Sequence, residues 1–344
     1  YLRSNLLDSS SPNPSIETLL HAYLPFKYVD HTHSNAILSL VNLDNSKEIL
    51  NKIYKDKIAI VPYVMPGFEL AKLCHMVISK NHKVEGLMLL NHGIFTFGSS
   101  AKQSYDRMIK LVTLAENFLN KQKKLIKYNI NNKKINITDV QLCIRNLYHS
   151  FTNKRWIIKF NNKVEDVKFT NRKDLFNLFN KGPVTPDHVI RIKSEPLIIP
   201  NKHLSSSKMI SNHINAYIKK YKNYFKKYKK NITNSKIADP LPRIIILEGI
   251  GFLSIGLNKK EMQVSYDIFD AMKKVIIKAN LVSKFKSINN TDIFKMEYWP
   301  LERAKLNNQN TKKFNGNVAV ITGGAGKIGS AIANKFINEN IEVI

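Results

Sequence analysis

Apolar positions along the first third of the chain change their spacing repeatedly, and each change predicts a new element. Residues 1–14 are rich in Ser, Asn and Pro and predict loop. Residues 15–23 have helical spacing, with Ser15 placed so that its hydroxyl can accept an orphan backbone N–H. Residues 28–33 predict a strand. Residues 34–41 and 46–54 predict helices, each opened by a capping Ser, and residues 58–61 a short apolar strand. Residues 67–79 predict a helix with Leu70, Leu73, Cys74 and Val77 on one face. Residues 86–90 and 94–97 predict two strands, interrupted by Asn91-His92-Gly93. Residues 102–124 predict a long amphipathic helix with Met108, Leu111, Val112, Ala115 and Leu119 on its apolar face. Alternating strands and helices of this kind predict an α/β fold.

The second half partly repeats the first. Residues 127–137 are rich in Asn and Lys and predict a linker. Pro186-Asp187-His188-Val189-Ile190 resembles Val29-Asp30-His31-Thr32-His33, and residues 243–256 resemble residues 87–98. His31 and His92 are 61 positions apart, and His188 and Ile250 are 62 apart. This predicts a duplicated half that keeps His188 but has Ile190 and Ile250 where His33 and His92 stand. The expected divisions are a domain over 1–126, a linker or insert over 127–182, a degenerate second half over 183–311, and a nucleotide-binding start from 312 to 344.

The length of 344 residues accommodates two or more domains, and 43% hydrophobic residues is ordinary for a globular protein. No run of 18 apolar residues exists to predict a membrane span. Tyr1-Leu2-Arg3 has no initiator Met and no signal-peptide pattern, so the sequence is expected to be a fragment of a cytoplasmic protein. Cys74 and Cys143 sit in apolar patterns and predict buried free thiols. A net charge of +28 raises nucleic-acid binding. Lys, Asn and Ile are abundant throughout, however, so the charge is not confined to a patch, and nucleic acid is not an expected partner. Residues 196–238 hold no acidic residue, and Tyr217, Tyr221, Tyr224 and Tyr228 recur there at helical spacing among lysines. A core stripe with a solvated Lys face explains them better than a platform for stacking bases.

The chemistry concentrates at Asp30-His31-Thr32-His33 and Asn91-His92-Gly93. Side chains two apart on a strand share a face, so His31 and His33 can reach one ion. His92 would arrive from a neighbouring strand, with Gly93 allowing a sharp backbone turn beside it. Three imidazoles hold Zn²⁺ and leave a position open, and such a Lewis acid can polarise a carbonyl and stabilise an enolate. Asp30 is a candidate partner for a ligand's second ring nitrogen. Glu17, on a helix leading into the ligand strand, is the candidate general base. His21, four residues on, shares its helix face and either orients Glu17 or is packed.

Pro14-Ser15-Ile16-Glu17, His21, His31-Thr32-His33, Pro62-Tyr63, Pro66-Gly67-Phe68-Glu69-Leu70-Ala71 and Asn91-His92-Gly93 resemble the class II aldolase/adducin family over about residues 12–120. The resemblance implies a central sheet flanked by helices, zinc at His31, His33 and His92, and an acid/base role for Glu17. It implies cleavage of a ketose 1-phosphate to dihydroxyacetone phosphate and an aldehyde, with a sugar phosphate as small-molecule partner. It also implies a homo-oligomer, as that family tends to form tetramers with sites near subunit edges. Epimerisation or decarboxylation on the same zinc fold, or an adducin-like scaffold, are the alternatives. The Gly/Asn/Ser phosphate loop that such aldolases carry upstream of the Glu is not matched here.

Residues 317–322 predict a buried strand, Thr322-Gly323-Gly324-Ala325-Gly326-Lys327-Ile328-Gly329 a glycine-rich turn, and residues 330–338 a helix, with a further strand from 341. This is the context of a dinucleotide site, where glycines let the backbone approach a pyrophosphate at a helix N-terminus. The motif resembles the opening of the short-chain dehydrogenase family, except that Lys327 stands where that family's usual spacing has Gly. The resemblance implies NAD or NADP bound at Thr322, Gly323, Gly324, Gly326, Lys327, Ile328 and Gly329, in the truncated first βαβ unit of a Rossmann domain. The whole order, with Thr185-Pro186-Asp187-His188 and Tyr298-Trp299-Pro300-Leu301-Glu302, resembles bifunctional aldolase/alcohol dehydrogenase proteins.

Overall fold

The β-branched and aromatic runs of the first third are extended in the structure, a computed structural model that describes residues 2–129, 135–232, 236–307, 314–339 and 341–343. The chain divides into two units, residues 1–123 with 277–288, and residues 124–276 with 289–344. No helix among the described residues is long and apolar enough to cross a membrane.

The first unit contains α1 (Thr18–Tyr23), β1 (Tyr28–Thr32), α2 (Asn35–Val41), α3 (Ser46–Tyr54), β2 (Ile58–Val61), α4 (Phe68–Lys80), β3 (Gly86–Leu89), β4 (Gly93–Gly98) and α5 (Ala101–Asn120). Its sheet runs β1-β4-β3-β2, with β2 and β3 parallel and the other pairs antiparallel. Alternation sends Leu87, Leu89, Phe95 and Phe97 into one core with Leu70, Ala71, Cys74 and Ile78 of α4. The opposite face, where Gly86 meets Leu111, packs under α5.

Two expected helix starts move. Ser15 does not cap a helix. Its hydroxyl accepts from Glu17 N in a local turn, and α1 begins at Thr18. Ser46 does not cap α3, because its hydroxyl closes a loop by bonding both Leu43 N and Leu43 O. Ser34 does cap α2, accepting from Ile37 N.

The second unit contains α6 (Ile137–Thr152), β5 (Ile157–Asn161), α7 (Val164–Thr170), α8 (Leu175–Phe179), α9 (Val189–Ile192), β6 (Leu197–Ile199), α10 (Ser207–Tyr228), β7 (Ile244–Leu247), β8 (Gly251–Gly256), α11 (Lys259–Val282), α12 (Asn290–Glu297) and α13 (Pro300–Asn307). The end of α11 is counted with the first unit. The second sheet runs β5-β8-β7-β6 with the same mixture of directions as the first. β5 is one of its edge strands, so most of the segment 127–182 is not the expected linker or insert. It supplies α6, β5, α7 and α8. Residues 130–134 of that expectation, and its boundary at 312, lie outside the described residues.

The repeat is present, but its expected register is not. Tyr28 faces Gly98 across the first ladder and Ile157 faces Gly256 across the second. That makes β5 the counterpart of β1 and Phe160 the counterpart of His31. Asn162, one past the strand end, takes the place of His33. Pro186–His188 is a turn of 3-10 helix, so His188 matches no ligand position. The near-equal spacing misled because 90 positions, not 61, separate Phe160 from Ile250. The hairpin match does hold. Leu90 N bonds Val61 O and Glu248 N bonds Ile199 O, while Asn91 and Gly249 both take positive φ. Ile250 therefore stands where His92 does.

On α10 the tyrosine stripe is core. Tyr221 is buried with Ala238, Phe294 and Tyr298, Tyr224 and Tyr228 pack against them, and Lys219, Lys222 and Lys226 face solvent. Near the C-terminus, β9 (Val318–Ala319), α14 (Lys327–Asn338) and β10 (Glu342–Val343) form a β-α-β arrangement with parallel strands. β9 is shorter than the expected strand over 317–322, and α14 starts three residues before Ser330.

Candidate metal centre

Three backbone segments bring the site together. β1 presents His31 and the residue just past its end, His33, on one face. The β3–β4 hairpin presents His92, and the turn before α1 presents Glu17. One ligand atom from each of these four residues lies within 4.8 Å of the other three. Among the described residues no other group of three or more His, Cys, Asp or Glu side chains gathers in this way.

The His31 imidazole is held from outside the centre. His31 Nδ1 donates to Ile94 O at 2.8 Å, and its ring stacks on Phe95 at 3.8 Å between centroids. That bond fixes the tautomer and aims the His31 Nε2 lone pair at the centre. His31 Nε2 lies 2.9 Å from His33 Nε2 and 3.3 Å from Glu17 Oε1. His92 is buried, and its Nε2 lies 2.9 Å from Glu17 Oε1. The three rings stand nearly perpendicular to one another, with centroids 4.7 to 5.2 Å apart.

The His92 loop is fixed from behind. Asn91 takes φ of 56°, a left-handed conformation that Asn tolerates. Its Nδ2 donates to Asn42 Oδ1 at 2.8 Å and to Lys286 O at 2.9 Å. Gly93 then passes under the ligands. A Cβ there would meet Thr32 O at 2.7 Å, His33 Cδ2 at 2.8 Å and His31 Cε1 at 3.1 Å.

The donor set suits a divalent cation. The His31 Nε2 lone pair faces a carboxylate oxygen and a second imidazole nitrogen, which repel it unless positive charge lies between them. Imidazole and carboxylate donors suit Zn²⁺. Burial would raise the Glu17 carboxyl, but the adjoining His31 and His92 imidazoles outweigh it and hold the group well below the usual carboxylate range. Glu17 is therefore an anion in the resting site.

The expected residues His31, His33, His92 and Glu17 come together. Asp30 does not serve as the outer partner, because it alternates to the other side of β1 from His31 and the Ile94 carbonyl takes that role. His21 packs edge-on against Phe95 at 5.6 Å. Burial and the nearby His31 lower its pKa. Sequence reasoning missed Asn91 as the anchor of the hairpin, although an Asn directly before the His-Gly pair was a usable signal for a left-handed turn.

In the glycine-rich segment, Gly323 takes φ of 69° and accepts from Gly326 N at 2.9 Å. A Cβ on buried Gly329 would lie 2.3 Å from Gly323 O, so only glycine lets the first turn of α14 close on the loop. Residues 325–328 are exposed at the start of that helix.

Residues 2–119 match the Class II Aldolase and Adducin N-terminal domain, and residues 136–306 match the Aldolase class II, second domain. The chain carries the two domains of the class II aldolase/adducin family. An uncharacterized oxidoreductase of Bacillus subtilis (strain 168), YuxG, is 31% identical over 359 residues, an alignment covering 100% of this chain and 52% of the relative. The chain thus spans about half the length of that curated relative. Among solved structures, the N-terminal class II aldolase domain of a conserved Thermoplasma acidophilum protein is 42% identical. It covers 34% of this chain and 54% of its own, with a TM-score of 0.32. YgbL of Klebsiella pneumoniae, a putative aldolase/epimerase/decarboxylase by its title, is 20% identical over 36% of this chain and 65% of its own, with a TM-score of 0.28. The family match and the four gathered side chains make this a class II aldolase-type enzyme with a candidate His/Glu metal site.

Proposed function

We propose that the first unit is a zinc-dependent aldolase cleaving a ketose 1-phosphate, of the rhamnulose 1-phosphate kind, to dihydroxyacetone phosphate and an aldehyde. The observation that carries this reading is the convergence of Glu17 on His31, His33 and His92. Those three imidazoles would hold the zinc, which when bound supplies a Lewis acid for a carbonyl oxygen. Glu17 does the proton work. Its anionic Oε1, 2.9 Å from His92 Nε2, takes the hydroxyl proton released as the aldehyde forms and delivers it to the carbon beside the carbonyl as the C–C bond opens. Asn91 and Gly93 keep the imidazoles in place, so little reorganisation is needed when substrate arrives.

The glycine-rich segment extends the proposal. Thr322, Gly323, Gly324, Gly326, Lys327, Ile328 and Gly329 would hold the pyrophosphate of NAD or NADP, a hydride carrier for the aldehyde product. The tight Gly323–Gly329 approach supports this, as does the oxidoreductase name of the relative. The proposed setting is cytoplasmic, with the chain in a homo-oligomer.

The test pairs metal analysis with product analysis. Purified protein should contain about one zinc per chain and release dihydroxyacetone phosphate from at least one of a panel of ketose 1-phosphates. Zinc without dihydroxyacetone phosphate from any of them would refute the aldolase and leave epimerisation or decarboxylation on the same frame. Failure to bind zinc, with His33→Ala changing nothing, would point to an adducin-like scaffold.

A further inference from the structure

The second unit holds a cavity that the aldolase chemistry leaves without a role. Its volume is about 240 Å³. Four of the residues lining it are tyrosines of α10, Tyr217, Tyr221, Tyr224 and Tyr228, which recur every three or four positions and so share one face of the helix. Ligand pockets are typically of this kind, concave and mainly aromatic or apolar, with a few polar groups that fix orientation. An apolar cavity of about 150 Å³ takes up benzene. This one therefore has room for one aromatic ring and a short chain.

The walls are fixed by the protein itself. Tyr224 and Tyr228 pack on Phe294, with ring centroids 5.4 and 5.8 Å away. Tyr221 Oη donates to Glu297 Oε1 at 2.6 Å, and Tyr217 Oη donates to Glu195 O at 2.8 Å. The charges at the cavity do not cancel. Three charged residues line it, Glu195, Lys220 and Lys227. Lys220 neutralises Glu195 at 2.5 Å. Lys227 makes no ion pair among the described residues, and its Nζ lies 5.2 Å over the Tyr228 ring. Its own helix cannot supply a partner, because residues 196–238 hold no acidic residue. Asp292, on the first turn of α12, faces Lys295 at 3.6 Å. One positive charge is left over.

We propose that this cavity binds a small aromatic monocarboxylate. The ring of the ligand lies among the tyrosines, where aromatic pairs gain attraction beyond their buried area. The carboxylate pairs with Lys227, which is exposed at the cavity and reaches it without losing another partner. Asn223 and Asn290 also line the cavity, and their side-chain amides offer donors to the same group. The charge count selects a carboxylate over a phosphate monoester. One unpaired ammonium balances one negative charge, whereas a phosphate monoester carries about 1.5 to 2. Binding is non-covalent, and nothing in it depends on whether the three histidines bind metal.

The test is calorimetric titration of the intact chain at pH 7 with 3-phenylpropionate as the probe. A ligand of this size should bind with Kd below about 1 mM. 3-Phenylpropan-1-ol, which keeps the shape and lacks the charge, should bind at least twofold more weakly, and phenyl phosphate no more tightly than the carboxylate. Lys227→Gln should weaken 3-phenylpropionate roughly two- to fivefold, the range of an exposed ion pair, and leave the alcohol unchanged. Lys219→Gln removes the same charge from an exposed position of α10 that does not line the cavity, and should change neither. No binding of 3-phenylpropionate at about 5 mM would overturn the proposal. So would equal affinity for acid and alcohol, tighter binding of phenyl phosphate, or equal effects of the two lysine variants.

Discussion

The sharpest test of the metal centre is Gly93→Ala. The new Cβ would lie 2.7 Å from Thr32 O and 2.8 Å from His33 Cδ2, where about 3.4 Å is the comfortable limit. Thr32 O belongs to the edge of the β1–β4 ladder and cannot yield alone. The imidazoles of His33 and His31 must therefore move by several tenths of an ångström. Overpacking of this kind costs about 1–3 kcal/mol. At roughly 2–4 °C per kcal/mol, the melting temperature should fall by about 2–12 °C. Displacing groups that support metal ligands typically lowers affinity about 10–100-fold.

Gly86→Ala is the matched control. Its Cβ would meet Phe95 O at 2.7 Å and Leu111 Cδ1 at 3.1 Å, a clash of the same size in the same sheet but away from any histidine. Zinc competition against a fluorescent chelator, alongside thermal melting, separates the two. Both variants should lose stability, and only Gly93→Ala should lose zinc affinity. If Gly93→Ala folds and binds zinc like the wild type, or if Gly86→Ala weakens zinc equally, then the centre is not where the four side chains converge.

Three further outcomes follow from single groups. Glu17→Gln should lower turnover by about 10²–10⁴, with zinc content by mass spectrometry near one per chain. Retained turnover would remove Glu17 from the proton work. Cys74 is fully buried, and burial pushes its thiol up to about 12, so iodoacetamide at pH 8 should spare it in the native chain while alkylating half-buried Cys143. Equal labelling by mass mapping would contradict that burial. Asp239 is opposed by burial, but the Arg243 guanidinium 2.6 Å away and the Leu241 N–H hold its pKa below the usual 3.8. A lowered folded pKa stabilises above 3.8 and is lost as pH falls through the folded value. Asp239→Asn should therefore lower the urea midpoint at pH 7 and narrow its gap from wild type near pH 3. A gap that stays constant with pH would exclude this linkage.

The ligands were legible because the physics that places them is local. His31 and His33 needed only the two-residue strand period, and His92 needed only a turn between two apolar runs. The outer support was not legible, since Ile94 O and the Phe95 ring reach His31 through the ladder register, which no local pattern states. The second half shows the same limit more sharply. Residues 186–190 resemble the ligand strand in letters, yet Pro186 starts a 3-10 turn and the true counterpart at 157–161 has no histidine to flag it. What identifies β5 is the pairing of Ile157 with Gly256, a contact across nearly a hundred residues. The glycine-rich segment was legible from its glycines between an apolar strand and a helix, and the Gly329 contact with Gly323 O explains why its last glycine is needed.

The shared hairpin frame leads to a final prediction. Asn91 and Gly249 hold the same left-handed position in the two units, so the backbone there accepts glycine. Asn91 differs from Gly249 in carrying a side chain that ties the turn to Asn42 and Lys286. Asn91→Gly keeps the conformation and removes two hydrogen bonds, each worth about 0.5–1.5 kcal/mol. Asn91→Ala removes the same bonds and adds the left-handed penalty of about 1–2 kcal/mol. Urea unfolding should rank wild type above Gly and Gly above Ala. Zinc affinity should fall in both variants, because His92 loses its anchor in each. Equal stability of the Gly and Ala variants would show that the turn relaxes out of the left-handed region once the side chain is gone. In that case the hairpin bonds, and not the residue at position 91, set the direction of His92.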